Sequence, residues 1–155
     1  MRRIHSLSRR DLLGITAGLT SASWLWGQDA QLPVVLKVTV TGGTRYINGL
    51  KPADFCVLED SIPQRIFAFA EGSNPPMLLN DDGTTRPLLE RELLGRYQQV
   101  IESSREDLGN SYILLYRPDP SNRNDGFREI NIEIVPDVAK KWRVRHTAGY
   151  RPERR

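Results

Sequence analysis

The sequence predicts a mainly β protein: an antiparallel Ig-like sandwich of about six to seven strands with one amphipathic connecting helix. Three observations carry that prediction. Both ends of the chain alternate apolar and polar residues with period two, turn residues separate these runs, and a single helical-period stretch lies between them. Three strands on either side of one helix form two sheets that cover each other.

The first thirty residues read as a signal rather than as part of the fold. Ser8-Arg9-Arg10-Asp11-Leu12-Leu13-Gly14 is similar to the twin-arginine consensus, with Arg9 and Arg10 as the address that the export receptor reads. The segment from Leu12 to Trp26 is moderately apolar but diluted by Gly14, Thr16, Gly18, Thr20, Ser21 and Ser23, too polar and short for a stable bilayer span. Cleavage at Gly27 or at Ala30 fits. Residues 1–30 are therefore expected to be a twin-arginine signal peptide, and 31–155 one extracytoplasmic domain, periplasmic or secreted.

Leu36, Val38 and Val40 alternate with Lys37, Thr39 and Thr41, a half-buried strand that Gly42-Gly43 ends. Phe55-Cys56-Val57-Leu58-Glu59 is a short strand, and Asp60-Ser61-Ile62-Pro63 turns it into a partner over Gln64–Ala70. Together these place the N-terminal strands within 33–70. Residues 71–86, rich in Gly, Pro, Asn and Asp, are expected to be loop. Leu89, Leu93, Tyr97, Val100, Ile101 and Leu108 recur at helical spacing, with Pro87 before and Gly109 after, which predicts a helix over 88–108. The C-terminal strands fall within 111–150, and the clearest is Ile130, Ile132, Ile134 alternating with Glu129, Asn131, Glu133.

Composition narrows function. The sequence pI is near 9.2, but residues 1–30 hold four arginines against two acids, so the remainder carries 18 basic and 17 acidic residues. That near-neutral balance lacks the footprint of a phosphate binder, and Lys140, Lys141, Arg143 and Arg145 read as one solvated strand face; no nucleic-acid partner is expected. Cys56 is the only cysteine, which excludes an internal disulfide and a two-cysteine metal site, and it reads as a small buried strand residue.

Candidate chemistry is sparse. Of two histidines, His5 lies in the signal and His146 stands in a basic strand. The carboxylate pairs Glu59-Asp60 and Asp81-Asp82 read as solvated turn charges. Asp81-Asp82-Gly83-Thr84-Thr85 lacks the ligand spacing and closing glutamate of a calcium loop. No phosphate loop or zinc pattern occurs. No catalytic, metal or cofactor-binding residue is assigned; Arg9 and Arg10 are the only site residues, and no cofactor is expected.

Gly49-Leu50-Lys51-Pro52-Ala53-Asp54-Phe55-Cys56-Val57-Leu58-Glu59-Asp60, followed by Gln64-Arg65-Ile66, resembles the opening module of the von Willebrand factor A-related proteins of acidobacteria. Tyr112–Pro118, Asp125–Ile130 and Val144–Tyr150 resemble that family's closing module, which ends in Gly-Tyr. In the family a whole A domain with an Asp-x-Ser-x-Ser metal motif lies between the modules. The interval Glu71–Asn110 is too short for such a doubly wound sheet and lacks the motif. The resemblance thus implies the flanking sandwich alone, without the cation-dependent adhesion of the A domain.

The function this predicts is a non-enzymatic interaction or structural module of the envelope or extracellular space, with an unknown protein or envelope partner and no stable membrane span after signal removal. The alternative is an exported enzyme or enzyme accessory with an unrecognised site, which a pocket around His146 holding a second titratable group would favour. A shortened relic that retains no binding function is a third possibility.

Overall fold

The five residues Tyr112-Ile113-Leu114-Leu115-Tyr116 are apolar on both faces, and every one of them is buried. A strand with that pattern has to lie mid-sheet with a layer on either side. The computed structural model describes residues 32–103, 108–135 and 141–152, and supplies both layers. The expected signal peptide, with Arg9 and Arg10, lies outside the described residues.

The described elements are β1 (Val34–Gly42), β2 (Arg45–Tyr46), β3 (Phe55–Glu59), β4 (Ile62–Gln64), β5 (Ile66–Glu71), β6 (Met77–Leu79), β7 (Thr85–Pro87), the helix α1 (Arg91–Ser103), β8 (Tyr112–Tyr116), β9 (Arg128–Ile134), β10 (Trp142–Arg145) and β11 (Gly149–Tyr150). The larger sheet runs β10-β1-β8-β5-β6-β7, with β2 beside β1; the smaller runs β11-β9-β3-β4. All pairings are antiparallel. Among the described residues the protein is a mainly β sandwich with one α-helix, as the alternation predicted, divided into more and shorter strands than the six or seven expected.

Between the sheets lies a core of Leu36, Val38, Val40, Phe55, Val57, Leu114, Ile130 and Ile132, with Tyr112 and Tyr116. Phe55, Phe69 and Tyr112 meet there as an aromatic trio with ring centroids 5.1 to 6.0 Å apart, Phe55 and Tyr112 edge to face and the other two pairs tilted. On the other face of the larger sheet Ile113 and Leu115 meet Ala68, Ala70, Leu78, Leu88, Leu93 and Tyr97. Helix α1 thus forms a third layer. The two terminal segments of the domain join in one sandwich: β8 pairs with both β1 and β5, and β3 with β9.

Several elements differ from expectation. The partner of β3 is only Ile62–Gln64, because Asp60 and Ser61 both take left-handed conformations (φ 49° and 68°) and close a two-residue hairpin. The chain then crosses to the other sheet at Arg65, so the expected strand over 64–70 belongs mostly to the larger sheet beside β8. The register shifts between Ile66 and Ala68, leaving Phe67 as an extra residue. That bulge turns both Phe67 and Ala68 toward the helix layer while Ile66 and Phe69 face the core.

The interval 71–86 is not simply loop, since it contains β6 and β7. Helix α1 begins at Arg91 rather than at Leu88. The Leu88 amide donates to the Pro76 carbonyl (3.0 Å), which extends the β6–β7 ladder and commits that residue to the sheet edge. Leu89, placed on the apolar stripe by its spacing, is 73% exposed. The end of the predicted helix, 104–107, is outside the described residues, and Leu108–Asn110 is a single 3-10 turn. Cys56 is half-buried and faces away from the core, because Phe55, Val57 and Glu59 take the inward positions of β3.

Ile132 packs in the inter-sheet core and Phe67 in the helix layer. Ile132→Ala is expected to cost about 2 to 5 kcal/mol, and the half-buried Phe67→Ala about 2 kcal/mol. Because the two side chains share no cluster, the double variant should equal the sum to within about 0.5 kcal/mol. Urea unfolding of the four proteins checks this, and a coupling well above that margin would mean the two layers are one.

Candidate functional site

Glu59 ends β3 on an inward position, and its side chain is fully buried beside the equally buried Arg128 at the start of β9. An ionised carboxylate out of water demands compensation by donors. It receives four. Arg128 Nη1 (2.8 Å) and Asn122 Nδ2 (3.0 Å) donate to Oε1, while the hydroxyls of Tyr116 (2.6 Å) and Tyr150 (2.9 Å) donate to Oε2. Those four donors occupy the acceptor sites of a carboxylate.

Arg128 is satisfied in turn. Its Nε donates to the Asn124 carbonyl (2.7 Å) and Nη2 to the Asn122 carbonyl (3.0 Å), so the guanidinium also organises the loop that leads into β9. Within that loop Asp119, Asn122 and Asn124 each accept a backbone N–H two residues on, closing successive turns. Asp60 ties the same loop to the β3–β4 hairpin: its carboxylate accepts from the Glu129 amide (2.8 Å), Asn124 Nδ2 (2.9 Å) and Asn122 Nδ2 (3.1 Å). Slight burial pushes the Asp60 carboxyl up, but these donors and the Arg128 charge outweigh it and hold the group below the ordinary carboxylate range.

Burial first, and then the hydrogen bonds and charge of Glu59, push the Tyr116 hydroxyl far above its ordinary value; Tyr150 shifts the same way. For Arg128, desolvation pulls downward, but the bond to and charge of Glu59, together with Tyr150, more than offset it. Gly149, next to Tyr150, is required sterically. A Cβ there would collide with the Arg128 carbonyl oxygen and come within 2.5 Å of the Phe127 ring.

The reading of Glu59-Asp60 as a solvated turn pair is therefore corrected. Asp60 is in the turn, but Glu59 occupies the last inward position of its strand, and a partner sixty-nine residues away neutralises it. Strand parity could have shown Glu59 pointing inward; nothing local could have named Arg128. Asp81 and Asp82 do sit in a turn, the β6–β7 loop, where Asp82 accepts from the amide (2.9 Å) and hydroxyl (2.6 Å) of Thr84, and these two bonds lower its pKa. Asp81 pairs with Arg65 at the surface. His146 contacts the Thr147 carbonyl through Nδ1 (2.8 Å). Arg143, Arg145 and Lys141 are exposed as expected, and Lys140 lies outside the described residues.

With every acceptor site of Glu59 filled and both charged partners shut off from solvent, the cluster cannot take up a substrate proton or a metal without being dismantled. It is a clamp. Among the described residues no group of His, Cys, Asp and Glu is placed to hold a metal ion. No described helix is long and apolar enough to cross a membrane. Comparison with known proteins finds no matching family model, no matching curated protein and no matching solved structure.

Two outcomes follow from this geometry. Arg128→Met leaves a buried carboxylate unpaired and is expected to cost about 3 to 5 kcal/mol, whereas adding Glu59→Leu to it should recover part of that loss. A cost below about 1 kcal/mol in chemical denaturation would show that the pair is not a clamp. The second outcome concerns alkaline pH. A tyrosine whose folded pKa is raised keeps its proton when the unfolded chain has lost it, so stability is full below the unfolded value, about 10, and declines above it. For Tyr116 the loss amounts to about 1.4 kcal/mol in total between roughly pH 9 and 11, and Tyr116→Phe should remove that share of the decline in unfolding curves measured across that interval.

Proposed function

We propose that this chain is an exported, non-enzymatic β-sandwich that acts as an interaction or structural module of the cell envelope or extracellular space, related to the flanking modules of von Willebrand factor A-related proteins. The observation that carries the reading is the convergence of the two stretches that bear the resemblance. Glu59 from the first and Tyr116, Arg128 and Tyr150 from the second meet in one buried clamp. Residues that look like fixed features of a family therefore have a shared physical task, which is to lock the two ends of the domain together.

The polar residues of that motif are consumed by folding, which leaves function to the surface, as in an adaptor or structural module. Export rests on Arg9 and Arg10 ahead of a short, diluted apolar segment. Replacing both with lysine is expected to hold the full-length chain in the cytoplasm and abolish the shorter processed form, as read by fractionation and blotting. Normal processing and export of that variant would overturn the twin-arginine reading.

A further inference from the structure

We propose that Asn48 is a site of self-modification that the fold promotes, converting to isoaspartate and aspartate with the Glu71 carboxylate as the base. In an Asn-Gly pair the backbone nitrogen after the asparagine can attack the side-chain carboxamide, and a glycine there leaves the approach open. Three glycines of this chain follow an Asn or Asp: Gly49, Gly83 and Gly126. The fold engages their amides differently. Gly83 N–H donates to the Asn80 carbonyl (3.1 Å) and Gly126 N–H to the side-chain oxygen of Asn124 (2.9 Å), neutral acceptors that cannot keep a proton. Gly49 N–H donates instead to Glu71 Oε1 (2.6 Å), a carboxylate at the end of β5 and twenty-two residues away in sequence.

A short charge-assisted bond of that kind holds a base on the proton that must leave as the nitrogen attacks. The leaving group favours the same position. Asn48 offers a carboxamide, which expels ammonia, whereas Asp82 and Asp125 offer a carboxyl group, whose ionised form resists a nucleophile. Glu71 takes the Gly49 amide proton as the nitrogen bonds to Asn48 Cγ, and the carboxamide nitrogen departs as ammonia with that proton. Water then opens the cyclic imide at either carbonyl, giving isoaspartate or aspartate; Asn48 and Gly49 are both exposed, so water reaches it. The product is a new anion beside Glu71, in the segment that Tyr112 fastens through the Ile47 carbonyl and the Leu50 amide. This inference does not depend on how the chain is exported or on the family it resembles.

The test ages the full-length chain at neutral pH and physiological temperature, maps its peptides by mass spectrometry, and identifies isoaspartate by enzymatic methyl labelling. Conversion is expected at Asn48 ahead of Asp82 and Asp125. Glu71→Gln keeps an oxygen acceptor for the Gly49 amide but removes the basicity, and should slow conversion about tenfold, less than a fully positioned base supplies because solvent bases compete. Glu71→Asp should restore part of the rate. In urea Glu71 no longer meets Gly49, so wild type and Glu71→Gln should age at one rate there, below that of the folded wild type. That comparison of folded with unfolded wild type needs no variant, and it holds even if Glu71→Gln fails to fold. Folded wild type converting more slowly than the same chain in urea would overturn the proposal. So would equal rates for the two folded proteins, or a difference between them that persists in urea.

Discussion

A carboxylate sealed inside a sandwich constrains everything around it, and in this protein that carboxylate is Glu59. Its four donors come from β8, β9, β11 and the loop before β9, so the larger sheet, the smaller sheet and the connection between them all depend on one side chain. Such a pair adds little net stability over an apolar substitute, because desolvation consumes most of the Coulombic gain. Its effect is on uniqueness. A one-residue slip of β3 against β9 would turn Glu59 to the outer face and leave Arg128 buried with no anion, so the alternative register is strongly disfavoured.

The second constraint is β8, which is the strand that both layers share. Its inward residues end in two tyrosines whose hydroxyls fasten opposite ends of the fold. Tyr116 donates to Glu59 near the β3–β4 hairpin, while Tyr112 donates to the Ile47 carbonyl (2.8 Å) and accepts from the Leu50 amide (3.1 Å). The latter pair fixes the segment by which the chain leaves the larger sheet for the smaller. A tyrosine suits both positions because its ring fills the core and its polar tip reaches the rim. The outward residues Ile113 and Leu115 then require a cover, and α1 provides it.

What could be read in the sequence follows from this division. The strands β1 and β9 were legible because each has one wet face, which writes period-two alternation into the chain; Ile130 and Ile132 are buried while Glu129, Asn131 and Glu133 are exposed. The sandwich followed from those strands. The short strands β6 and β7 were hidden in a turn-rich segment, since three-residue strands carry no periodicity to detect. The bulge at Phe67 was equally invisible, being a matter of register between strands rather than of residue type. Glu59 was misread because a charge beside Asp60-Ser61 reads as turn chemistry, and the arginine that neutralises it is far away in sequence.

The segment between β5 and β8 is placed where its size matters least. Glu71 and Tyr112 are paired neighbours on adjacent strands, and the Gly72 amide donates to the Ser111 carbonyl (2.7 Å), so the chain leaves and re-enters the larger sheet at one point. Gly72 takes a positive φ of 61° there, a backbone conformation that residues with a side chain rarely adopt. Insertions whose ends already meet impose no strain on the strands that flank them. A sandwich built this way tolerates a long or a short insert at that junction, provided the insert still covers Ile113 and Leu115. In this chain Leu78 of β6, Leu88, and Leu93 and Tyr97 of α1 meet that requirement within the interval Glu71–Asn110, so the domain closes its own core with a short insert.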